Sequence, residues 1–479
     1  MKPLQLQTHF PFQPTEQQAN TFGALAGYFS DTSAHHVFVL KGAAGTGKTA
    51  LLQAVAKALQ AAGRRVVLLA PTGRAAKIAS RRSNLRASTL HLEIYSSGVS
   101  TGGSYFALKE NHHPKETVFI VDEASMLGDT AGEGTSGQGL LRDFLRYVWR
   151  HNPKGRVLLI GDPAQLPPVG TQRSPALDVN YLRGVLQLKV TSANLTAVKR
   201  QALHSGILYN ATALRKSLSG QLPQTWPPLF TAPDVKPLPD AESAMDTFLT
   251  HFEPDNPESV VLLTHSNAIA AQFNEAVRQR LFYEPEEITE GDWVMAVKNY
   301  YFHDGQRVRF IANGETGVVR RVLRDTRHAA AGQEWLSVEL EFPTGEQDLV
   351  SLQATIPLDL LYSKSPNLGD PERFGQLHTR RENLLKESPG NLQDVLRQDA
   401  YLNSLQLKMG YAVTGHKAQG GQWNNVIIAF EPWFFRTQDN DGEARSLLEP
   451  LRWTYTAVTR AASQLYLLQP PFPLQELPL

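Results

Sequence analysis

The chain has no cysteine among its 479 residues. That absence excludes a disulfide framework, cysteine-ligated zinc and thiol catalysis, and it fits a reducing cytoplasm. An excess of charge is also lacking, since 47 Lys and Arg face 46 Asp and Glu. Any surface for a polyanion must then be a local groove and not a field of the whole molecule. No run of about 18 apolar residues occurs, so no membrane span or membrane partner is expected. Residues 1–20 lack the apolar core of a signal peptide. What remains is ordinary globular composition, 42% hydrophobic and 19% charged, and length for about two to four domains.

The first half alternates short apolar runs with helical segments, the pattern of a parallel sheet covered by helices. Val37–Leu40, Val66–Ala70, Val118–Val121 and Val157–Ile160 read as four strands of one sheet. Gly63 reads as the residue that ends the helix starting near Lys48. Residues 86–116 break the rhythm, with Gly98, Gly102 and Gly103 between Tyr95 and Tyr105-Phe106, and read as an inserted hairpin. Residues 128–139 read as an exposed loop. A second α/β unit begins near Leu195, with a strand at Val260–Thr264 and a helix over 267–282. Between 289 and 360 short strands with Asn313-Gly314 and Thr344-Gly345 turns suggest a small β-barrel, after which the α/β pattern returns. The predicted organisation is a first α/β domain over 1–85 and 117–193 with the hairpin at 86–116. The second covers 194–288 and 405–479, with a β module and helical extension at 289–404.

Gly42-Ala43-Ala44-Gly45-Thr46-Gly47-Lys48-Thr49 fits the phosphate-binding pattern G-x-x-x-x-G-K-[ST]. Its glycines let backbone N–H groups wrap phosphate oxygens at a helix N-terminus, where the dipole favours negative charge. Lys48 is placed to reach the β- and γ-phosphates, and the Thr49 hydroxyl to ligate Mg²⁺. A chance match in a chain this long arises on the order of one or two times in a hundred, and the strand before and helix after lower that further. Asp122-Glu123 ends an apolar strand: the first carboxylate can hold Mg²⁺ and the second orient the attacking water. Alone, such a pair is usually just solvated. Gln165, in Gly161-Asp-Pro-Ala-Gln165-Leu-Pro-Pro, adds an amide that can sense the γ-phosphate; without its context it reads equally as a surface residue of a Pro-rich loop.

Further segments extend the set: Pro14-Thr-Glu-Gln-Gln18, Ala70-Pro-Thr72-Gly-Arg-Ala-Ala-Lys77, Ala87-Ser-Thr-Leu-His91 and Leu195-Thr-Ala-Val-Lys-Arg200. Thr414-Gly-His416-Lys-Ala-Gln-Gly420 and Tyr455-Thr-Ala-Val-Thr-Arg460 complete it. In this order, over residues 14–460, they resemble the 5′→3′ superfamily 1B helicases of the RecD and phage Dda type. The hairpin and the regions 200–255 and 361–404 match poorly. The resemblance implies two RecA-like domains, a hairpin insertion that parts the duplex, and an SH3-like β-barrel insertion in the second domain.

The same resemblance assigns roles that the residue types can support. Gln18 reads the adenine, while Gly420 joins the phosphate-binding residues around ATP and Mg²⁺. Arg200 and Arg460 close on the γ-phosphate, and Thr72, Lys77, His91, Thr414 and His416 line a groove for single-stranded DNA. Each lone His or Thr has a plain structural alternative, and His416 has no partner at zinc-ligand spacing. Arg74, Lys77, Arg81, Arg82 and Arg86 form a basic cluster that reads equally as a solvated helix face. Tyr95, Tyr105 and Phe106 are stacking candidates with core packing as the alternative, whereas Trp293 and Trp335 read as barrel core. The expectation is a monomeric, bacterial or phage-like, nucleoid-associated motor acting on single strands and junctions, in repair or recombination. Two rivals stay open: a translocase that strips proteins with little unwinding, and a nucleotide-gated DNA-binding scaffold subunit. No protein partner is readable from the sequence.

Overall fold

The computed structural model describes residues 6–477 apart from 101–102, 131–137, 198–204, 221, 224, 283–286, 305–306, 312, 345–347, 364, 366, 369–373, 388–398, 400 and 439–444. Of 96–100, 103–106, 301, 303–304, 307–310, 343–344, 348–349, 385 and 387 only the backbone is described. The chain forms two compact units, 1–98 with 104–221 and 99–103 with 222–479.

In the first unit the strands are β1 (His36–Gly42), β2 (Val66–Ala70), β3 (Ala87–Thr89), β6 (Val118–Val121), β7 (Arg156–Gly161) and β8 (Lys189–Leu195). A separate hairpin pairs β4 (Tyr95–Ser100) with β5 (Gly103–Leu108). The six strands run in the order β3-β2-β6-β7-β1-β8, and every pairing is parallel. Continuous apolar runs are what a sheet covered on both faces demands. Successive residues point to opposite faces, and the core divides accordingly. Val37, Val39, Phe119, Val121, Val157 and Leu159 pack on one side with helices α4 (Leu90–Ile94) and α5 (Leu140–Trp149). Phe38, Leu40, Ile120, Leu158 and Ile160 pack on the other with α1 (Glu16–Ser30) and α2 (Lys48–Ala61). Gly63 ends α2 as expected, with φ +75°; its N–H reaches Gln60 O, and Arg64 N–H reaches Leu59 O, a Schellman closure.

Three features differ from the sequence expectation. The sheet has six strands, because β3 and β8 extend it at both ends. Since β8 pairs with β1 and the helix α7 (Gly206–Leu218) packs with the first unit, that unit runs to 221 instead of 193. The hairpin is also shorter than 86–116, for residues 87–94 belong to β3 and α4. Most of the 128–139 loop lies outside the described residues.

The second unit holds a parallel sheet of β10 (Val235–Leu238), β21 (Ala461–Leu468), β20 (Trp423–Ala429), β11 (Val260–Thr264) and β19 (Ala412–Thr414), in that order. Helix α9 (Asn267–Leu281) follows β11 as expected. Each unit is thus built on one parallel sheet. The inserted module is an antiparallel sheet in the order β17 (Asp348–Pro357), β16 (Gln333–Thr344), β15 (Thr316–Ala330), β12 (Trp293–Ala296), β18 (Leu407–Met409). Its ends approach each other, because Leu405 N–H donates to Thr355 O at 3.2 Å. Its last strand carries the module to 409, past the expected limit of 404. Trp293 and Trp335 are fully buried, as expected.

Module and parallel sheet share one apolar core, in which Trp293 stacks on Tyr411 at 5.6 Å between ring centres. A buried ion pair pins the joint: Arg278 Nε of α9 lies 2.7 Å from Asp292 Oδ1. Asp292 also accepts from Thr289 N–H and the Tyr411 hydroxyl. Among the described residues no helix is long and apolar enough to cross a membrane.

Candidate functional site

Because β1, β2, β6 and β7 are parallel, their carboxyl ends open on one edge of the first sheet, where open α/β folds bind ligands. The phosphate loop leaves β1 at Gly42, Asp122-Glu123 leave β6, Gln165 follows β7, and Thr72 follows β2. The sequence motifs of the first half therefore converge.

The loop's glycines answer to geometry. Gly47 has φ +85°, and a Cβ there would lie 2.7 Å from Gln18 Nε2; one at Gly42 would lie 2.8 Å from Lys48 Cγ. Gly45 also has positive φ, +74°. Thr15 and Thr72 cap α1 and α3 (Gly73–Ser83) with side-chain oxygens, whereas Gly47 offers α2 none. The first N–H groups of α2 are thus left for an anion. Lys48 Nζ lies 2.7 Å from Gly42 O and 2.8 Å from Ala43 O, so its ammonium sits at the loop's own mouth. Thr46 is buried, Ala44 and Thr49 half-buried.

Asp122 is half-buried beside this loop, within reach of the Lys48 charge. Burial first, and then the neighbouring Glu123 charge, push its carboxyl up to about 6. Its Oδ1 accepts the Glu123 N–H at 3.0 Å, and Glu123 itself holds a left-handed backbone, φ +53°, an uncommon conformation for a residue with a Cβ. Asp122 and the Thr49 hydroxyl are hard oxygen donors of the kind Mg²⁺ prefers. A partly desolvated carboxylate held above its normal range also fits a site meant for a cation. Gly161 lets these turns pack: a Cβ there would lie 2.9 Å from Ser125 N. Gln165 is 6% exposed, and its Oε1 is buried without a hydrogen-bond partner among the described residues.

Gln18 sits differently from the expected adenine reader. It is 2% exposed; its Oε1 accepts from Thr15 N–H at 2.9 Å and its Nε2 donates to Thr46 O at 3.0 Å. One amide closes the capping box of α1 and grips the phosphate loop. The neighbouring Gln17, which sequence reasoning passed over, accepts from Thr196 and Ala197 N–H groups at 2.8 and 2.9 Å. It ties α1 to the chain leaving β8. Arg200, beyond that point, lies outside the described residues.

On the same edge, Thr72 Oγ1 caps α3 by accepting from Ala75 N–H, and Lys77 is half-buried. Burial lowers the pKa of His91, whose ring lies 5.6 Å from that of Tyr95. A neutral imidazole is a hydrogen-bonding contact, not an ionic one. The basic cluster divides: Arg81, Arg82 and Arg86 are exposed, but Arg74 is 4% exposed and belongs to the interior. Tyr95 is core, with its hydroxyl on Asp143 Oδ2 at 2.6 Å. The side chains of Tyr105 and Phe106 lie outside the description.

In the second unit Thr414 ends β19 opposite Thr264 of β11, at the carboxyl edge of the sheet. The chain then runs through Gly415–Gln422 and enters β20 at Trp423, opposite Ala461, at the amino edge. One motif therefore crosses the sheet from edge to edge, roughly 20 Å by strand rise. Gly415 is required on the way, since a Cβ there would lie 2.4 Å from Trp453 Nε1. Burial lowers the pKa of His416 and brings Lys417 down to about 8. Lys408, Thr414 and Lys417 line one small cavity, and neither lysine was picked from the sequence. At the far end Gly420 has φ +72°. Arg460 lies beside it, 5% exposed, with its guanidinium donating to Gly421 O, Thr456 O and Thr459 Oγ1 at 3.1 Å each.

A family model described as an AAA domain matches residues 15–217, and one described as a UvrD-like helicase C-terminal domain matches 409–468. The ATP-dependent RecD2 DNA helicase of Deinococcus radiodurans is 25% identical over 464 residues, covering 94% of this chain and 48% of that protein. The chain thus spans about half the length of that relative. The ATP-dependent DNA helicase PIF1 of Trypanosoma brucei brucei is 38% identical over 92 residues, 19% of this chain and 9% of that one. Among solved structures, a Pif1 helicase from Bacteroides in complex with ADP-AlF3 and ssDNA covers 96% of this chain and 93% of its own, at 15% identity and a TM-score of 0.47. The chain thus carries an AAA-domain match in its first half and a UvrD-like helicase C-terminal match near its end, and it is similar along 94% of its length to an ATP-dependent DNA helicase.

Proposed function

We propose that this chain is an ATP-driven DNA helicase that moves along single strands 5′→3′ and unwinds duplex. The observation that carries the reading is the segment Thr414–Gly420, which spans the second sheet from the edge bearing Thr414 and His416 to the edge bearing Arg460. A change at one edge is mechanically continuous with the other, which is what coupling hydrolysis to a strand grip needs. The polarity rests on the resemblance to the superfamily 1B helicases alone.

In this reading Gly42–Gly47 and Lys48 hold the triphosphate, and Thr49 and Asp122 hold Mg²⁺, which neutralises charge on the phosphate oxygens. Glu123 orients water, Gln165 senses the γ-phosphate, Gln18 keeps the loop in shape beside the nucleobase, and Gly420 borders the nucleotide. Arg200 and Arg460 supply positive charge to the transition state. Thr72, Lys77, His91, Thr414 and His416 grip the sugar-phosphate backbone, which positions a strand without reading it. The five-stranded module serves as the SH3-like insertion, and the β4–β5 hairpin as the element that parts the duplex. A monomer suffices for this cycle.

Strand displacement on duplexes with either a 5′ or a 3′ single-stranded tail tests the proposal. Unwinding of the 5′-tailed substrate, with ATPase stimulated by single strands, is the expected result. Stimulated ATPase without displacement would make the chain a translocase. ATPase indifferent to DNA would remove the motor.

A further inference from the structure

Trp433 is 49% exposed, while Trp149, Trp293, Trp335, Trp423 and Trp453 are each 7% exposed or less. It stands four residues beyond the end of β20, at the carboxyl edge of the second sheet. The ring is held in place. Its Nε1 donates to Glu431 Oε2 at 3.1 Å, and the other oxygen of that carboxylate accepts the His265 and Ser266 N–H groups at 2.9 and 2.7 Å. Glu431 is 5% exposed. His265 meets the Trp433 ring edge-on at 5.2 Å and lies flat on Phe434 at 3.5 Å. Phe434 in turn packs on Phe435 and Trp453. An exposed indole has thus been fixed in orientation by a buried carboxylate and backed by a rigid aromatic stack.

Position gives this ring its meaning. His265 directly follows Thr264, the strand partner of Thr414, and Thr264 O accepts the N–H of Gly415, the residue before His416, at 2.9 Å. Trp433 therefore shares its edge with two residues assigned to the strand grip. Arg436 and Arg445 are exposed in the same connection, and Arg445 Nη1 donates to the Trp433 carbonyl at 3.1 Å. Aromatic faces beside basic side chains suit single strands, because every base has a π-face and every linkage a charge. The Glu431 carboxylate behind the ring disfavours a phosphate at that spot and leaves a neutral base as the fitting occupant.

We propose that Trp433 is a stacking platform for an unpaired nucleobase, the base-contacting complement of the backbone grip at Thr414 and His416. The proposal rests on the single-strand reading above. Such a platform contributes affinity without sequence preference and resists slipping of the second unit along the strand.

The test uses the full chain, its Trp433→Ala and Trp433→Phe variants, and two labelled oligomers of equal length, one of deoxythymidine and one of abasic deoxyribose phosphate. Fluorescence anisotropy gives the affinities. Wild type is expected to bind the base-bearing oligomer about tenfold or more tighter than the abasic one. Trp433→Ala should lose most of that gap while its affinity for the abasic oligomer is unchanged, and Trp433→Phe should keep part of it. Equal weakening toward both oligomers, or no weakening toward either, overturns the platform. Failure of wild type to bind either oligomer overturns the single-strand reading and the platform with it.

Discussion

The two units use their parallel sheets differently. In the first, the phosphate loop, Asp122-Glu123, Gln165 and Thr72 leave the carboxyl ends of neighbouring parallel strands, so the proposed nucleotide and strand contacts share one edge. In the second, the groups occupy opposite edges, and one segment, Gly415–Gln422, runs between them. A shared edge suits binding and chemistry, where groups must converge on one phosphate chain. Separate edges suit transmission, since a shift at Arg460 must travel through packed backbone to reach Thr414. The first unit is a site; the second is a link.

The comparison is broken most severely at Arg460. Its guanidinium already rests on Gly421 O, so Arg460→Ala removes both the proposed transition-state charge and a bond to the link. ATPase with single-stranded DNA should fall about 10³- to 10⁵-fold, or roughly 4–7 kcal/mol. Normal turnover in this variant would detach Arg460 from the chemistry. Next in size, Glu123→Gln should keep ATP binding and slow turnover about 10²- to 10⁴-fold; its effect belongs to the first unit alone. Wild-type rates would exclude Glu123 as the group that orients water.

The joint between link and β module can be broken separately. Asp292→Ala leaves Arg278 buried, 3% exposed, without its carboxylate. Removing one partner of a buried pair costs about 3–5 kcal/mol. Chemical denaturation should show a loss of that size, and unchanged stability would mean that Arg278 finds another partner. Tyr95→Phe is milder. It strips one hydrogen bond from the buried Asp143, and bonds to charged groups contribute about 1.5–3 kcal/mol. The variant should melt earlier yet retain strand separation, since Tyr95 is core. Lost unwinding with unchanged stability would return it to the hairpin's working surface.

How far the sequence was legible follows the same division. The four central strands of the first sheet were readable because both faces are covered and each is a continuous apolar run. Strand β8, Lys-Val-Thr-Ser-Ala-Asn-Leu, sits at the sheet's edge, and five of its seven residues keep some exposure. Its polar alternation hid it and moved the predicted domain boundary. Strand β3 has only three residues, too few for a period. The phosphate loop was legible because its chemistry is contiguous. Glu431 and Trp433 were not: nothing in Phe430-Glu-Pro-Trp433 announces that the carboxylate will turn inward to two N–H groups over 160 residues away. Contacts of that separation exist only after the sheet has formed.

Gln18 gives the finest test of how the first unit works. Residue type and motif point to an adenine reader, but in the fold both ends of its amide are engaged, by Thr15 N–H and Thr46 O. If its main work is to hold the phosphate loop, Gln18→Ala must loosen the grip on every nucleoside triphosphate alike. One net hydrogen bond of about 1 kcal/mol corresponds to a rise of roughly fivefold in KM, equal for ATP and GTP, with kcat less affected. If the amide instead leaves Thr46 to read the base, ATP alone should suffer and discrimination against GTP should collapse. Steady-state kinetics with both nucleotides distinguish the two outcomes, because a loop that cradles phosphates has no means of knowing which base is attached.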